Sequence, residues 1–381
     1  MNCLIRNASV FHSLTLTYLS GDLLVRDGRI ADFGNSLTAP DGMPVFDAKG
    51  QKLLPGLVDV HTHGRAGGDF STADGVTLRR MSESYLASGV TTVMPTLASA
   101  PVEDLCAAID RINALADEGC GAHIAGIHLE GRYLNPTKRG AHAPHLLASL
   151  DPDELSGLLH RMKGAKHISA ALELDQNGEF LARALACGAT VGLGHTAATY
   201  AEATDLISRG VSAMTHLFNA MPPLHHRDGG AVAAGLLSHT ALCELICDGF
   251  HIAPETVRLA YQLAGERLVL ITDSMEATGC PDGEYSIAGM PVTVTGGKAR
   301  THDGAIAGST LSMWEAVLNL RDFAEISFER ALYAATLAPA REIGLDGELG
   351  SIELGKRADL LMVDENFAIT RVMCGGVWAD D

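Results

Sequence analysis

Two histidines, His195 and His216, close two short runs rich in β-forming residues, 189–194 and 211–215. Between the runs lies a helix pattern. Thr199 and Glu202 form a capping box, Ala203, Leu206 and Ile207 an apolar stripe, and Gly210 suits the stop. Strand, helix and strand at this length make a βαβ unit, so the two strands are expected to be parallel. Both histidines then sit at carboxyl ends of neighbouring strands, where an α/β barrel builds its active site. Neutral imidazole is a ligand for zinc and iron. Two unrelated loop histidines would fit the same pattern, so the decision rests on the remaining residues.

Those residues repeat the theme. Asp59, His61 and His63 lie in LVDVHTHG, and alternate residues of a strand share a face, so His61 and His63 can point to one ion. Glu130 closes GIHLEG, His251 stands in CDGFHI, and Asp273 follows VLIT. A carboxylate or imidazole at such a place costs burial free energy unless it is paired or bound to metal. One would be ordinary, as a core histidine or a helix cap. A series on successive strand ends is hard to explain as packing. The mix of His and carboxylate suits Zn²⁺ or Fe²⁺ better than Mg²⁺ or Ca²⁺.

The elements that must hold these residues recur with a regular rhythm. Strand candidates fall at 57–61, 91–96, 124–128, 168–174, 190–194, 212–216, 242–247 and 268–272. Helical stretches such as 102–117, 179–186 and 254–264 separate most of them. That rhythm predicts an α/β fold, a closed (β/α)₈ barrel over residues 54–343. Residues 283–306 are rich in Gly and β-formers and read as a hairpin insertion before a helix starting near Ser309. Both ends of the chain read as short strands: 23–26, 29–33 and 51–54, with Asp27-Gly28 as a hairpin turn, then 351–354, 360–363 and 369–374. Neither end can build a core alone. Residues 1–53 and 344–381 are therefore expected to pair as one small β-domain.

Bulk properties narrow the class. The 381 residues are 47% hydrophobic and 19% charged, as in an ordinary globular protein. A net charge of −18 argues against a nucleic-acid partner and requires local donors for any anionic substrate. Eight cysteines are scattered with no CxxC pair, which fits a reduced, cytoplasmic setting. Neither a signal-peptide pattern nor an 18-residue apolar run occurs, so no membrane partner is expected.

Taken together, LLPGLVDVHTHG, GIHLEG, GHT, THLFNAM, DGFH, TDSM and GSIELGKRADLLMVD resemble the amidohydrolase superfamily, and within it the N-acetylglucosamine-6-phosphate deacetylases. The likeness runs through nearly the whole chain, and its GKRADL and PGLVDVHTHG motifs imply that residues 1–53 and 344–381 form a split β-sandwich domain beside the barrel. It implies metal-dependent removal of an acetyl group from a phosphosugar, in amino-sugar catabolism and cell-wall recycling. By the same resemblance Glu130, His195 and His216 hold the tight metal, and His61 and His63 allow a second, so one or two ions per subunit. Asp273 is then the catalytic acid/base and His142 polarises the acetyl carbonyl, with Ala141 beside it. Asn219, Ala220 and Arg227 meet the phosphate, His251 and Asp248 the sugar, and Ile306, Ala307 and Gly308 line the site. In proteins it resembles, the Arg227 loop lies at a two-fold interface, which implies a homodimer sharing Arg227. Arg132 follows Glu130-Gly131 where the family usually has proline, and it could reach substrate or a neighbouring acid. His225, His226, Lys138 and Arg139 could touch an anion or be plain surface, and Met221 and Met275 read as core filling. Three alternatives stay open: the N-acetylgalactosamine 6-phosphate epimer, a cyclic amidase, and a barrel that binds without catalysing.

Overall fold

In the computed structural model, which describes residues 2–380, eight parallel strands alternate with helices around a barrel. We number them β1 (Leu57–Thr62), β2 (Val90–Leu97), β3 (Gly126–Glu130), β4 (Ala165–Ala170), β5 (Thr190–Leu193), β6 (Ala213–Met214), β7 (Leu242–Ile246) and β8 (Leu268–Ile271). Neighbours pair in sequence order from β1 to β8. The ring closes where Thr62 bridges Ser274 and the Asp273 amide donates to the His61 carbonyl at 2.9 Å. Nearly every strand residue is buried, as parallel strands covered on both faces require.

The crossover helices follow local sequence chemistry. Thr199 and Glu202 do form the predicted capping box of Tyr200–Ser208, with the Thr199 amide 2.8 Å from Glu202 Oε2. The helices Glu179–Ala186 and Pro254–Ala264 match their predicted bounds.

Four elements differ from the sequence expectation, each for a visible reason. The run 168–174 is not one strand: β4 ends at Ala170, and Leu172–Leu174 is a 3₁₀ turn. There Glu173 leaves the strand line to accept the Thr196 hydroxyl at 2.6 Å and the Ala197 amide at 2.7 Å. β6 is only two residues long, because the backbone turns left-handed at His216, with φ +31°. The helix expected near Ser309 starts at Met313, capped by Ser312, since Ser309 is held on the barrel rim by the Asp273 carbonyl at 2.7 Å. Residues 351–354 form no strand: Ser351 and Glu353 instead bond the buried Lys356 ammonium.

The chain ends do meet in one sheet. Its order is Val377–Trp378, Ile369–Cys374, Leu360–Val363, Lys52–Pro55, Cys3–His12, Thr17–Arg26 and Arg29–Gly34, with Val45–Asp47 also on Cys3–His12. Lys52–Pro55 and Leu360–Val363 pair antiparallel and join the two termini. Ile5, Leu23, Leu53, Leu360 and Trp378 share a core separate from the barrel's. Burying each such side chain contributes roughly 1.5–3 kcal/mol. The strand Cys3–His12 escaped the sequence reading because a bulge between Ile5 and Ala8, with Asn7 at φ +55°, breaks its alternation. The insertion after β8 is a three-stranded antiparallel sheet, Gly283–Ile287, Met290–Thr295 and Lys298–Thr301. No helix among the described residues is long and apolar enough to cross a membrane.

Candidate active site

The carboxyl ends of the barrel strands bring four imidazoles onto one carboxylate. Glu130, last residue of β3, is 2% exposed. Its Oε1 lies 3.2 Å from His195 Nε2 and 2.8 Å from His216 Nε2. Its Oε2 lies 2.9 Å from His63 Nε2 and 3.4 Å from His61 Nε2. The two oxygens thus face two separate ligand sets, Glu130–His195–His216 and His61–His63–Glu130, each with ligand atoms within 4.8 Å of one another. Asp273, just past β8, faces the second set, with Oδ1 3.3 Å from His63 Nε2 and 3.6 Å from His61 Nε2.

The backbone at these strand ends is strained and pinned. His195, His216 and Asp273 all have positive φ, at +46°, +31° and +47°. Such residues cost about 1–3 kcal/mol each and persist when surrounding bonds over-determine them. The Asn135 amide donates to the His195 carbonyl at 3.1 Å, Glu244 Oε2 accepts the His216 amide at 3.0 Å, and Ser309 holds Asp273. His195 Nδ1 donates to the Lys138 carbonyl at 2.8 Å, which leaves its Nε2 lone pair for the Glu130 side.

Electrostatics fit a site built for positive charge. Burial alone would raise the Glu130 carboxyl, but the nearby charge of His61 and the contacts with His195 and His216 hold it well below the usual range. Burial would likewise discharge His63, yet hydrogen bonds to Asp273 and Glu130 draw it up to about 9. His61 Nε2 is buried and has no hydrogen-bond partner among the protein atoms. Buried imidazoles crowded on one carboxylate, with an unpartnered Nε2 among them, suit a divalent cation that displaces their protons and is bound by nitrogen and oxygen. His142 behaves differently: burial first and His195 second push it down to about 3, so it is neutral. Asp273 would be raised by burial, but the His63 hydrogen bond and the His61 charge keep it below 3.8 and ionised.

A cavity of about 280 Å³ opens onto this centre. Its walls include His63, Glu130, Ala141, His142, His195, His216, Asn219, Ala220, His251, Asp273, Ile306 and Gly308, all residues singled out in the sequence. Gly140, Ile287 and Ala305 complete the wall, and the sequence carried no sign of them. His61 lies beneath it, fully buried. Three expected residues lie elsewhere. Ala307 faces the core of the insertion with Met275 and Ile287. Asp248 is occupied by its own loop: Oδ1 accepts the Phe250 and His251 amides at 2.8 Å each, and Oδ2 accepts His251 Nδ1 at 2.7 Å. Arg227 sits exposed, with Nη1 2.8 Å from His226 Nε2, and does not line the cavity of its own chain. Arg132 turns to a neighbouring acid, with Nε 3.0 Å from Glu154 Oε1 and Nη1 2.9 Å from the Ala100 carbonyl.

This barrel, this ligand set and the chain's own likenesses agree: the chain belongs to the amidohydrolase family, whose model matches residues 53–379. The N-acetylgalactosamine-6-phosphate deacetylase of Escherichia coli O157:H7 is 36% identical over 91% of this chain and 93% of its own. The N-acetylglucosamine-6-phosphate deacetylase of Vibrio furnissii is 36% identical over 85% of this chain and 82% of its own. The crystal structure of N-acetylglucosamine-6-phosphate deacetylase from Pasteurella multocida superposes with a TM-score of 0.91 at 29% identity, covering 99% of both chains.

Proposed function

We propose that this chain hydrolyses the N-acetyl group of N-acetyl-D-glucosamine 6-phosphate, giving D-glucosamine 6-phosphate and acetate. The observation that carries the reading is one cavity in which ionised Asp273 and neutral His142 flank the ligand sets built on Glu130. Glu130, His195 and His216 would hold one divalent ion, Zn²⁺ or Fe²⁺, and His61 and His63 with Glu130 a second. Such an ion, when bound, acts as a Lewis acid toward water and the substrate carbonyl.

The chain's own groups supply the rest. Asp273 takes a proton from the attacking water and returns it to the departing amine nitrogen. His142 Nδ1 accepts the Ser99 amide, so its proton sits on Nε2, which can donate to the carbonyl oxygen as charge develops there. Asn219 and Ala220 lie on the cavity wall where the phosphate would rest, and His251 would meet the sugar. Arg227 is exposed and does not line its own cavity, which supports a homodimer in which each subunit lends Arg227 to the other's phosphate. A cytoplasmic setting suits a substrate that carries a phosphate.

A second reading has its own support. The galactosamine-type relative matches as well as the glucosamine-type one, at 36% identity each, so the 4-epimer is a real competitor. Acetate release should be measured from both N-acetylhexosamine 6-phosphates and their unphosphorylated forms. The proposal expects the gluco epimer to have the higher kcat/KM and the phosphate to matter by orders of magnitude. A preference for the galacto epimer would install the second reading; equal turnover without phosphate would contradict both.

A further inference from the structure

One layer deeper in the barrel lies Glu244, which the chemistry above does not use. It comes from β7, in the apolar run LCELI, and is fully buried. Its Oε2 lies 3.0 Å from His61 Nδ1 and accepts the His216 amide at 3.0 Å. One oxygen therefore touches a member of each ligand set from behind, while Glu130 joins the same two sets from the front.

Both contacts have chemical consequences. With Nδ1–H given to Glu244, His61 keeps its lone pair on Nε2, the atom that faces Glu130 and Asp273. The negative charge also makes that imidazole a better donor to a cation. His216 carries its ring on a left-handed backbone at φ +31°, and the bond from its amide to Glu244 is one of the few anchors there.

Behind Glu244, whose Oε1 has no hydrogen-bond partner, lies a buried layer of imidazoles and a second acid. His128 packs edge-on between His61 and His167, at ring separations of 4.6 and 4.7 Å. His167 Nε2 lies 3.8 Å from Glu244 Oε1 and 3.8 Å from Glu342 Oε1. His167, Glu244 and Glu342 are all at most 1% exposed, so Glu244 cannot relieve its charge by swinging to water. A carboxylate buried this deeply is costly unless its oxygens are partnered, and the two partners of Oε2 are His61 and the His216 amide.

We propose that Glu244 is the positioning residue of the whole centre: its Oε2 sets the tautomer of His61 and the backbone pose of His216. This rests on reading the Glu130 cluster as a metal centre.

The test uses purified full-length protein, stripped with chelator and titrated with Co²⁺ while visible absorption and bound metal are recorded. The variants are Glu244→Gln, Glu244→Met and Glu342→Gln. Glu244→Gln keeps an acceptor oxygen but loses the charge, and should bind Co²⁺ roughly 10–100-fold more weakly than wild type. Glu244→Met loses both and should bind more weakly still, with an altered absorption band. Glu342→Gln perturbs the same buried cluster without touching Oε2, and should stay within about threefold of wild type. Where Glu244→Met fails to fold, the contrast between the two Gln variants decides. The proposal is overturned if Glu244→Gln binds like wild type, or if Glu342→Gln weakens Co²⁺ as much as Glu244→Gln. Wild type that takes up no Co²⁺ would remove the metal reading itself, and this proposal with it.

Discussion

Ser99 donates its hydroxyl to His142: Oγ lies 2.9 Å from Nδ1, and the same oxygen accepts the Arg132 amide at 2.8 Å. The Ser99 amide reaches Nδ1 as well, at 3.4 Å. Nδ1 is thereby committed as an acceptor, and Nε2–H is the one group His142 can offer the cleft. Replacing His142 with Gln should lower kcat by about 10²–10³, the usual loss for one preorganised oxyanion donor. Ser99→Ala, which keeps the backbone amide, should cost less. Steady-state acetate release checks both. His142→Gln activity within threefold of wild type would remove the assigned role.

The split of Glu130 predicts unequal metal loss. Its Oε1 serves His195 and His216, and its Oε2 serves His61 and His63. His195→Ala or His216→Ala should lose the tight ion and activity together, while His61→Ala should retain the larger share of both. Elemental analysis of the purified variants reads the outcome. His61→Ala protein as metal-free as the other two would reverse the ranking of the two sets.

Much of this site was legible because barrel geometry converts strand-end positions into neighbours. His61, His63, Glu130, His195, His216 and Asp273 could be grouped by residue type and place alone. Glu244 could not. It stands in an apolar strand, LCELI, between Cys243 and Leu245, and reads there as one polar interruption. Its meaning depends on His61, 183 residues away, and on Glu342, from a C-terminal helix that periodicity did not reveal. A buried acid inside a strand was the available signal. Arg132 is the converse case: its departure from the family pattern was plain, but only the fold shows that Glu154 takes it.

Glu342 should make stability depend on pH. Burial first and the Glu244 charge second raise its carboxyl well above 4.5. In the unfolded chain it titrates near about 4.3. Above that pH the folded state keeps a proton the unfolded state has released, so stability falls as pH rises toward the raised folded value. Glu342→Gln cannot ionise and should remove this slope. Urea unfolding of both metal-free proteins at about pH 5 and about pH 7.5 should show the variant gaining on wild type at the higher pH. A stability difference that is constant across that range would contradict the assignment.

Arg227 does not line its own cavity, so a shared site can be tested by mixing. Asp273→Asn and Arg227→Ala proteins, each inactive, are dissociated together and allowed to reassociate. Half of randomly formed dimers are hybrids, each with one intact site of two, so about a quarter of wild-type activity should return. No recovery would place Arg227 in the service of its own subunit.

Asp273 is the group on which the proposed reaction turns, and its Oδ1 lies 3.3 Å from His63 Nε2 and 3.6 Å from His61 Nε2. The most direct measurement is acetate released per bound metal ion from N-acetylglucosamine 6-phosphate, by wild type and Asp273→Asn side by side. The account predicts rapid release by wild type. It also predicts that the variant, with metal content retained, is slower by about 10²–10⁴, the usual worth of a general acid/base. Release within tenfold of wild type by a metal-replete Asp273→Asn protein would contradict it.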